Sequence, residues 1–452
     1  MKKLFSYPVF LLLFLSFIGT MGFGAIVKYH YQGGKKFQFL QKSVMLISSI
    51  PFNLKKIIKY KTLNLDKLVP LTKHKNKKRF KQFIENERKA FLVMSRYDYS
   101  LGRSIVEIID LKDFRTIHVY KHDINDMNKK IKNKKFKRLN IDASVNRFLY
   151  THPLVFENGN LISKFNGPAF MLDFCSNLMW VNEEEKVHHS INTDAEGMIY
   201  HVGDLTPPSK YVKKYNFEKH NKTFVDHAII KTDINGKIIY KKSTLELLIE
   251  NGLFPDNFAN NYVTSKGRGE GPIHLNDVQP ALKDTKFWKK GDLFLSIKNQ
   301  SAIILYRPST NKVINYLTGP FSEQHDVDII SDKEISIFNN NNFFGNNEYS
   351  EILVYNFETK SFKKLFNDQL QKENFKTRTN GLSHIFKDGS LMVEEQNHGR
   401  IILFNYKGEK EWEFVNKDKN GNIGFIKWSR IIEDETFIKN FKSLVKNKTC
   451  LN

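Results

Sequence analysis

The sequence is poor in cysteine. Its 452 residues include two, Cys175 and Cys450, so at most one intramolecular disulfide can form. Cys175 lies in the apolar run at 170–180, and we interpret it as a small buried thiol, with a disulfide as the alternative. The sequence has no HExxH motif and no closely spaced His/Cys pattern. It therefore predicts no metal site and no cofactor.

Helical periodicity is scarce as well. The segment 244–253, TLELLIENGL, is the one clear helix pattern in the region of repeats. A parallel α/β fold is therefore disfavoured, because such a fold places a helical period between successive strands.

Acidic residues are few compared with basic ones. There are 48 Asp and Glu against 71 Lys and Arg, a net charge of +23, and the excess is concentrated at 51–90 and 121–140. No nucleic-acid-binding motif presents these charges, so no nucleic-acid partner is predicted. Three explanations stay open: solvated lysines on loops, attraction of 51–90 to anionic lipid headgroups, and steering of an anionic substrate.

One long apolar run is present. Lys2 and Lys3 precede an uncharged stretch from Leu4 to Val27, which exceeds the roughly 20 residues that span a bilayer. We predict an uncleaved single-pass anchor and export of the remainder; a signal peptide cleaved after Gly24 is the alternative. The predicted division is an anchor or signal peptide at 1–27, a basic membrane-proximal segment at 28–84 and a β domain at 85–445.

From about residue 88 onward, short β-rich runs alternate with turns. Hairpin patterns recur, with Asn235-Gly236 as a strong turn signal; they lie at 104–120, 170–182, 228–240, 302–317, 351–366 and 400–415. Three to four strands per repeat, at a regular spacing, predict an all-β propeller of about six blades. The strands near 425–432 are expected to close the ring with the first strands.

Three histidines occupy equivalent places in the repeats. His189, His274 and His325 each begin a third strand, and equivalent positions of propeller blades point toward one axis, so we predict that these imidazoles converge. We expect Lys298 to lie nearby and Asp326 to orient an imidazole. Five other histidines are interpreted as structural, strand or loop residues: His188, His201, His227, His384 and His398. Several imidazoles and a cation suit a sulfate or phosphate ester, and a transition metal is the rival ligand.

These motifs resemble the bacterial arylsulfotransferase family over residues 166–432. The resemblance is carried by HHSIN (188–192), HLNDVQ (274–279), GDLFLSIKN (291–299), QHDVDI (324–329), IFNNN (337–341) and WSR (428–430). It implies an exported six-bladed propeller that moves a sulfuryl group from an aryl sulfate to a phenolic acceptor through a sulfohistidine, without a nucleotide donor. The predicted location is the periplasmic side of the bacterial inner membrane, anchored or, after cleavage, free.

The resemblance also implies residue roles. By the motif in which each stands, His325 resembles the family's nucleophile and His274 resembles its sulfuryl-binding and acid–base partner. His189 resembles the residue that forms a third wall of the family's site. Lys298 stands where the family has arginine, which keeps the charge but loses the bidentate fork. Substrate contacts are expected from three asparagines: Asn276, Asn299 and Asn340. The alternative function is a non-catalytic periplasmic propeller that binds a ligand or protein partner; the oligomeric state is not predicted.

Overall fold

The computed structural model describes residues 7–32, 70–85, 87–133, 144–164, 167–214, 224–253, 273–342 and 349–450, together with individual residues between 34 and 68. The chain divides into two compact units, residues 1–69 and 70–452. Most of the basic segment before residue 70, and the part of 121–140 beyond residue 133, lie outside the described residues. The predicted three-part division stays a prediction.

The first unit contains helix α1, Tyr7–Tyr31. Residues Tyr7–His30 are long and apolar enough to cross a membrane or to serve as a signal sequence. The predicted apolar N-terminal segment is therefore confirmed as a helix, which is the conformation that satisfies every backbone polar group within one segment.

The second unit is mostly β. Its strands, in chain order, are β1 Phe80–Gln82, β2 Phe91–Asp98, β3 Arg103–Asp110, β4 Arg115–Tyr120, β5 Thr151–Val155, β6 Leu161–Lys164, β7 Gly167–Leu172, β8 Leu178–Thr193, β9 Ile199–Asp204, β10 His227–Thr232, β11 Ile238–Ser243, β12 Leu275–Pro280, β13 Leu293–Ile297, β14 Ala302–Arg307, β15 Lys312–Leu317, β16 Val327–Ile329, β17 Glu334–Asn339, β18 Glu351–Asn356, β19 Ser361–Leu365, β20 Leu382–Ile385, β21 Leu391–Glu395, β22 Arg400–Phe404, β23 Lys410–Val415 and β24 Arg430–Ile432. Among the described residues, five α-helices accompany them: α2 Ile124–Lys130, α3 Lys210–Lys214, α4 Thr244–Glu250, α5 Asn367–Lys372 and α6 Glu435–Asn447.

The strands of the described residues form five antiparallel sheets in a propeller-like arrangement. Four sheets have the size of one blade: β24-β2-β3-β4, β12 to β15, β16 to β19, and β20 to β23 with β1 at the edge. The fifth sheet has seven strands, β5 to β11. The prediction of about six separate blades is therefore wrong: four blade-sized sheets form, because the long strand β8 pairs with both β7 and β9 and keeps the remaining strands in one sheet.

The chain closes on itself through its two ends. Strand β24 pairs with β2, with Leu92 opposite Ile431, and β1 pairs with β23, with Phe80 opposite Phe414. The predicted closure by the strands near 425–432 is confirmed. Each terminal strand covers the edge of a sheet that would otherwise present unpaired backbone groups.

The apolar core lies between neighbouring sheets. Central strands such as β14 are buried on both faces, whereas the outer strand β15 alternates between exposed and half-buried residues, as expected for a strand with one wet face. One core cluster joins Leu305 of β14 to Ile337 of β17 and Leu353 of β18. Helix α4 confirms the helix predicted at 244–253; its N-cap Ser243 Oγ accepts from the Glu246 amide at 3.1 Å.

The two cysteines form a disulfide, Cys175–Cys450. The interpretation of Cys175 as a buried free thiol is therefore wrong. Cys175 lies in the turn between β7 and β8 rather than within a strand, and it packs with Phe174 and Phe441 of α6. The bond ties the chain after α6 to this turn across 275 residues of sequence.

Candidate functional site

The candidate site is a cluster of five imidazoles, here called the histidine cluster: His188, His189, His227, His274 and His325. Its members come from β8, from the first residue of β10, and from the residues that precede β12 and β16. The predicted convergence of three imidazoles is observed. Ring centroids lie 4.9 Å apart between His189 and His274 and 6.0 Å apart between His189 and His325.

Two further histidines join those three. The His188 ring lies 4.8 Å from the His227 ring, and the His227 ring lies 4.8 Å from the His274 ring. His188 and His227 lie in strands, as interpreted from the sequence, but the sequence did not predict that their rings join the cluster. Both begin or interrupt a strand, and the adjacent pair at 188 and 189 was the one signal that could have found His188.

A bulge in β8 presents the adjacent histidine pair. The pairing of β8 with β9 shifts register between His188 and Ile191, and His189 has φ 57°. This left-handed conformation is unfavourable for a residue with a side chain. A bulge of this kind turns side chains out of the regular alternation, so neighbouring residues can both reach the cluster.

Asp204 orients His188. The Asp204 carboxylate lies 2.8 Å from His188 Nε2, 2.8 Å from Lys186 Nζ and 3.8 Å from His227 Nδ1. Burial alone raises the pKa of Asp204, but the charge and hydrogen bond of His188, with His227 and Lys186, lower it overall. The carboxylate is thus ionised and accepts a hydrogen bond from His188 Nε2–H.

A hydrogen bond joins the Nδ1 atoms of His188 and His189. When His188 is neutral, its proton is on Nε2 beside Asp204, so its Nδ1 accepts and His189 Nδ1 donates. The lone pair of His189 is then on Nε2. The chain Asp204–His188–His189 therefore gives His189 the tautomer of a base.

Asn340 fixes the tautomer of His325. The Asn340 amide nitrogen donates to the carbonyls of Thr377 at 2.9 Å and Asn380 at 2.7 Å, so its Oδ1 can only accept. This oxygen lies 2.6 Å from His325 Nδ1, which must therefore carry the proton. The Nε2 lone pair of His325 is left to accept the backbone N–H of Asn380, at 2.9 Å.

Two lysines supply positive charge beside the cluster. Lys298 is buried, and its charge acts on His227, His274 and His325. Lys427 Nζ lies 3.1 Å from Asn380 Oδ1, and burial lowers the pKa of Lys427 to about 8. The position of Lys298 agrees with the prediction, whereas Lys427 was not predicted.

Three imidazoles of the cluster, His189, His274 and His325, are neutral near pH 7. Burial, and then the charge of Lys298, lower the pKa of His325 to about 3. Burial also lowers the pKa of His189 and His274 well below the usual value. His325 is 2% exposed, whereas His189 and His274 keep part of their surface accessible. A neutral imidazole is both a nucleophile and a base, so the cluster holds its side chains in reactive forms.

The remaining predicted residues differ in their placement. Asn276 is buried and donates to the Gln324 carbonyl at 2.9 Å, beside His325. Asn299 is half-buried in the short turn that also contains Lys298. His384 lies 3.2 Å from Glu433, which agrees with its interpretation as structural.

Asp326 does not orient an imidazole as predicted. Its carboxylate accepts a hydrogen bond from the Ser383 backbone amide at 3.4 Å and interacts with Asp328, and it lines a separate cavity of about 270 Å³ with Asp328 and Arg430. The reason is alternation: successive residues at the start of a strand point to opposite sides, so Asp326 faces away from the cluster that His325 joins. Asn340 takes the predicted role of Asp326.

Fold and cluster together define a propeller-like protein with a buried imidazole site. The model of the family described as arylsulfotransferase (ASST) matches residues 152–417, more than half of the chain. The chain therefore belongs to the arylsulfotransferase family. The matched range contains all five histidines of the cluster as well as Lys298 and Asn340. No curated protein matches the chain.

Several solved structures are similar at low identity. A protein of unknown function from Bacteroides caccae is 10% identical, with 76% of this chain and 99% of that chain covered and a TM-score of 0.46. A streptogramin B lyase is 10% identical, with coverages of 78% and 97% and a TM-score of 0.38. A virginiamycin B lyase from Staphylococcus aureus is 12% identical, with coverages of 58% and 69% and a TM-score of 0.33. At these TM-scores, the similarities support no statement about activity.

Proposed function

We propose that the protein transfers a sulfuryl group from an aryl sulfate to a phenolic acceptor through a sulfohistidine on His325, without a nucleotide donor. The observation that carries this proposal is the histidine cluster with its buried lysine. It joins a neutral imidazole of fixed tautomer, two partly accessible imidazoles and a cation within one small site. The family match supports a transferase of this class.

In the first half of the reaction, the lone pair of His325 Nε2 attacks the sulfur atom. The bond between sulfur and the aryl oxygen breaks, and its electron pair leaves with the phenolate. The negative charge of the bound ester raises the pKa of neighbouring imidazoles, so His274 takes up a proton on substrate binding. His274 then gives that proton to the departing phenolate oxygen.

In the second half, the acceptor phenol attacks the sulfur of the sulfohistidine. The phenolic proton passes to His189 Nε2, which the chain from Asp204 through His188 leaves unprotonated. The bond between sulfur and His325 Nε2 breaks, and the electron pair returns to the imidazole. His189 then releases its proton to solvent, which balances the proton that His274 took from solvent on substrate binding. This division gives each imidazole one task and leaves His325 unchanged after a full cycle.

Two groups are proposed to stabilise the sulfuryl oxygens. Lys298 supplies a charge that needs no reorganisation during transfer. The backbone N–H of Asn380 donates to His325 Nε2 at 2.9 Å. When sulfur approaches His325 Nε2, this N–H gives up that hydrogen bond and donates to a sulfuryl oxygen instead. Lysine binds oxyanions as a point charge rather than a fork, so arginine at position 298 is expected to hold the group more rigidly.

The proposal is tested by incubating the full chain with 4-nitrophenyl sulfate and phenol. Nitrophenol release is followed by absorbance, and peptides are examined by mass spectrometry for one added sulfuryl group. We expect release to depend on phenol and the label to lie on the peptide containing His325. His325→Ala should abolish both, and His384→Gln, outside the cluster, should leave both unchanged.

The same assay distinguishes the non-catalytic alternative. A binding module would retain the aryl sulfate without releasing nitrophenol and without a labelled peptide. Full turnover by His325→Ala would contradict the assignment of the nucleophile while leaving the family membership intact.

A further inference from the structure

We propose that His188, Asp204 and His227 bind one divalent transition-metal ion of the zinc type. This site shares His188 with the proposed transfer reaction. An ion on His188 Nε2 displaces the proton that faces Asp204 and leaves the imidazole proton on Nδ1, so the metal-bound form and the form that gives His189 the tautomer of a base exclude each other. The observations behind the metal site do not rest on that reaction. It departs from the prediction of no metal, which relied on the lack of closely spaced histidine motifs. These three ligands come instead from β8, β9 and β10, where cross-strand pairing places Asp204 opposite His227.

The three residues have the spacing of a metal site. Each offers one ligand atom, and these atoms lie within 4.8 Å of one another in a buried position. Asp204 Oδ1 is 2.8 Å from His188 Nε2 and 3.8 Å from His227 Nδ1. Ligand bonds of about 2.0–2.1 Å in a tetrahedron separate neighbouring ligand atoms by about 3.3 Å. The two distances to Asp204 fall on either side of that value, and the two histidine nitrogens lie within 4.8 Å of each other, so binding an ion requires small adjustments of these side chains.

Two nearby nitrogen atoms lack hydrogen-bond partners. His227 Nδ1 and His274 Nδ1 are both buried and have no hydrogen-bond partner among the described residues. An unsatisfied buried polar atom costs about 1–3 kcal/mol, and a metal ion satisfies such a nitrogen directly. His227 Nδ1 is therefore the second, independent indication of a ligand at this position.

The surroundings fit an ion bound by two imidazoles and one carboxylate. Lys186 Nζ lies 2.8 Å from the second carboxylate oxygen of Asp204, and His188 Nδ1 is hydrogen-bonded to His189. Such outer contacts orient metal ligands. Two nitrogen donors favour zinc, cobalt, nickel or copper over magnesium and calcium, which prefer oxygen. The charge of Lys298 opposes a cation here, and the carboxylate of Asp204 offsets it.

The test uses the full chain in detergent, with any affinity tag removed and metals stripped by chelation. Titration with Co²⁺ is followed by visible absorption, and bound metal is counted by elemental analysis after dialysis against Zn²⁺. We expect one ion per chain and the absorption of a four-coordinate Co²⁺ site. Asp204→Asn and His227→Gln should each weaken binding by at least tenfold.

His384→Gln is the matched control, because it removes an imidazole that contacts Glu433 instead of the cluster; its affinity should equal that of the unaltered chain. Absence of stoichiometric binding, or equal binding by the Asp204 and His227 variants, would overturn the proposal. Should those variants fail to fold, X-ray absorption of the unaltered chain decides. A metal coordination shell that contains two imidazole nitrogens would support the site, and a coordination shell made of oxygen atoms alone would contradict it. Neither result depends on sulfuryl transfer.

Discussion

Replacing His325 should make the protein less sensitive to acid. Burial and the charge of Lys298 lower the pKa of His325 from 6.5 to about 3, so the folded protein holds this imidazole neutral where the unfolded chain binds a proton. The unfolded state is therefore favoured as the pH falls from about 6.5 toward 3. From these two pKa values, the loss of stability from His325 alone is about 2 kcal/mol between pH 7.5 and pH 5.

The assay is urea unfolding of the unaltered chain and His325→Gln at both pH values, followed by tryptophan fluorescence. Glutamine does not titrate. The unfolding free energy of the variant minus that of the unaltered chain should therefore be about 2 kcal/mol larger at pH 5 than at pH 7.5. Lys112→Gln, at an exposed position, leaves His325 in place, so its unfolding free energy should show the same pH dependence as that of the unaltered chain. Parallel pH dependence of the unaltered chain and His325→Gln would refute the claim that His325 is buried and neutral.

Three further predictions follow from individual contacts. Asn340→Ala removes the acceptor of His325 Nδ1–H and should lower kcat/KM for 4-nitrophenyl sulfate about tenfold, since a buried hydrogen bond is worth about 1–3 kcal/mol; unchanged kcat/KM would contradict the tautomer assignment. Lys298→Met should lower kcat for 4-nitrophenyl sulfate at least about 100-fold, whereas Lys298→Arg should retain or raise kcat. Equal losses of kcat in the two variants would contradict a role of the positive charge. Cys175→Ser, which breaks the bond to Cys450, should lower the free energy of unfolding by about 2–5 kcal/mol; urea unfolding of the variant and the oxidised parent tests this, and coincident curves would contradict it.

The hairpins were predictable from the sequence because each consists of two apolar runs around a turn signal. The pair at 228–240 became β10 and β11, with Gly236 at φ 80° in the turn between them. The closing strand β24 followed from the same pattern. The number of separate sheets was not predictable, since nothing in the residues of β8 shows that one strand of 16 residues pairs on both sides.

Convergence of His189, His274 and His325 was predictable because the three occupy equivalent places in repeats. His227 and Asp204 were missed for a physical reason. They meet through the cross-strand register between β9 and β10. Register is set by the hydrophobic pattern together with the turn, and the connection from Asp204 to His227 is too long to be a tight turn whose sequence would place these two residues opposite each other. The role of Asn340 was missed in the same way, because its carbonyl partners at Thr377 and Asn380 are distant in sequence.

The most direct test of the account is the chemical state of His325 during turnover. The full chain is mixed with 4-nitrophenyl sulfate in the absence of phenol, quenched, digested and examined by tandem mass spectrometry. Transfer through a sulfohistidine should leave a sulfuryl group on the His325 imidazole, and the group should be lost when phenol is added before quenching. A label that lies on another residue, or nitrophenol release without any labelled peptide, would rule out this intermediate.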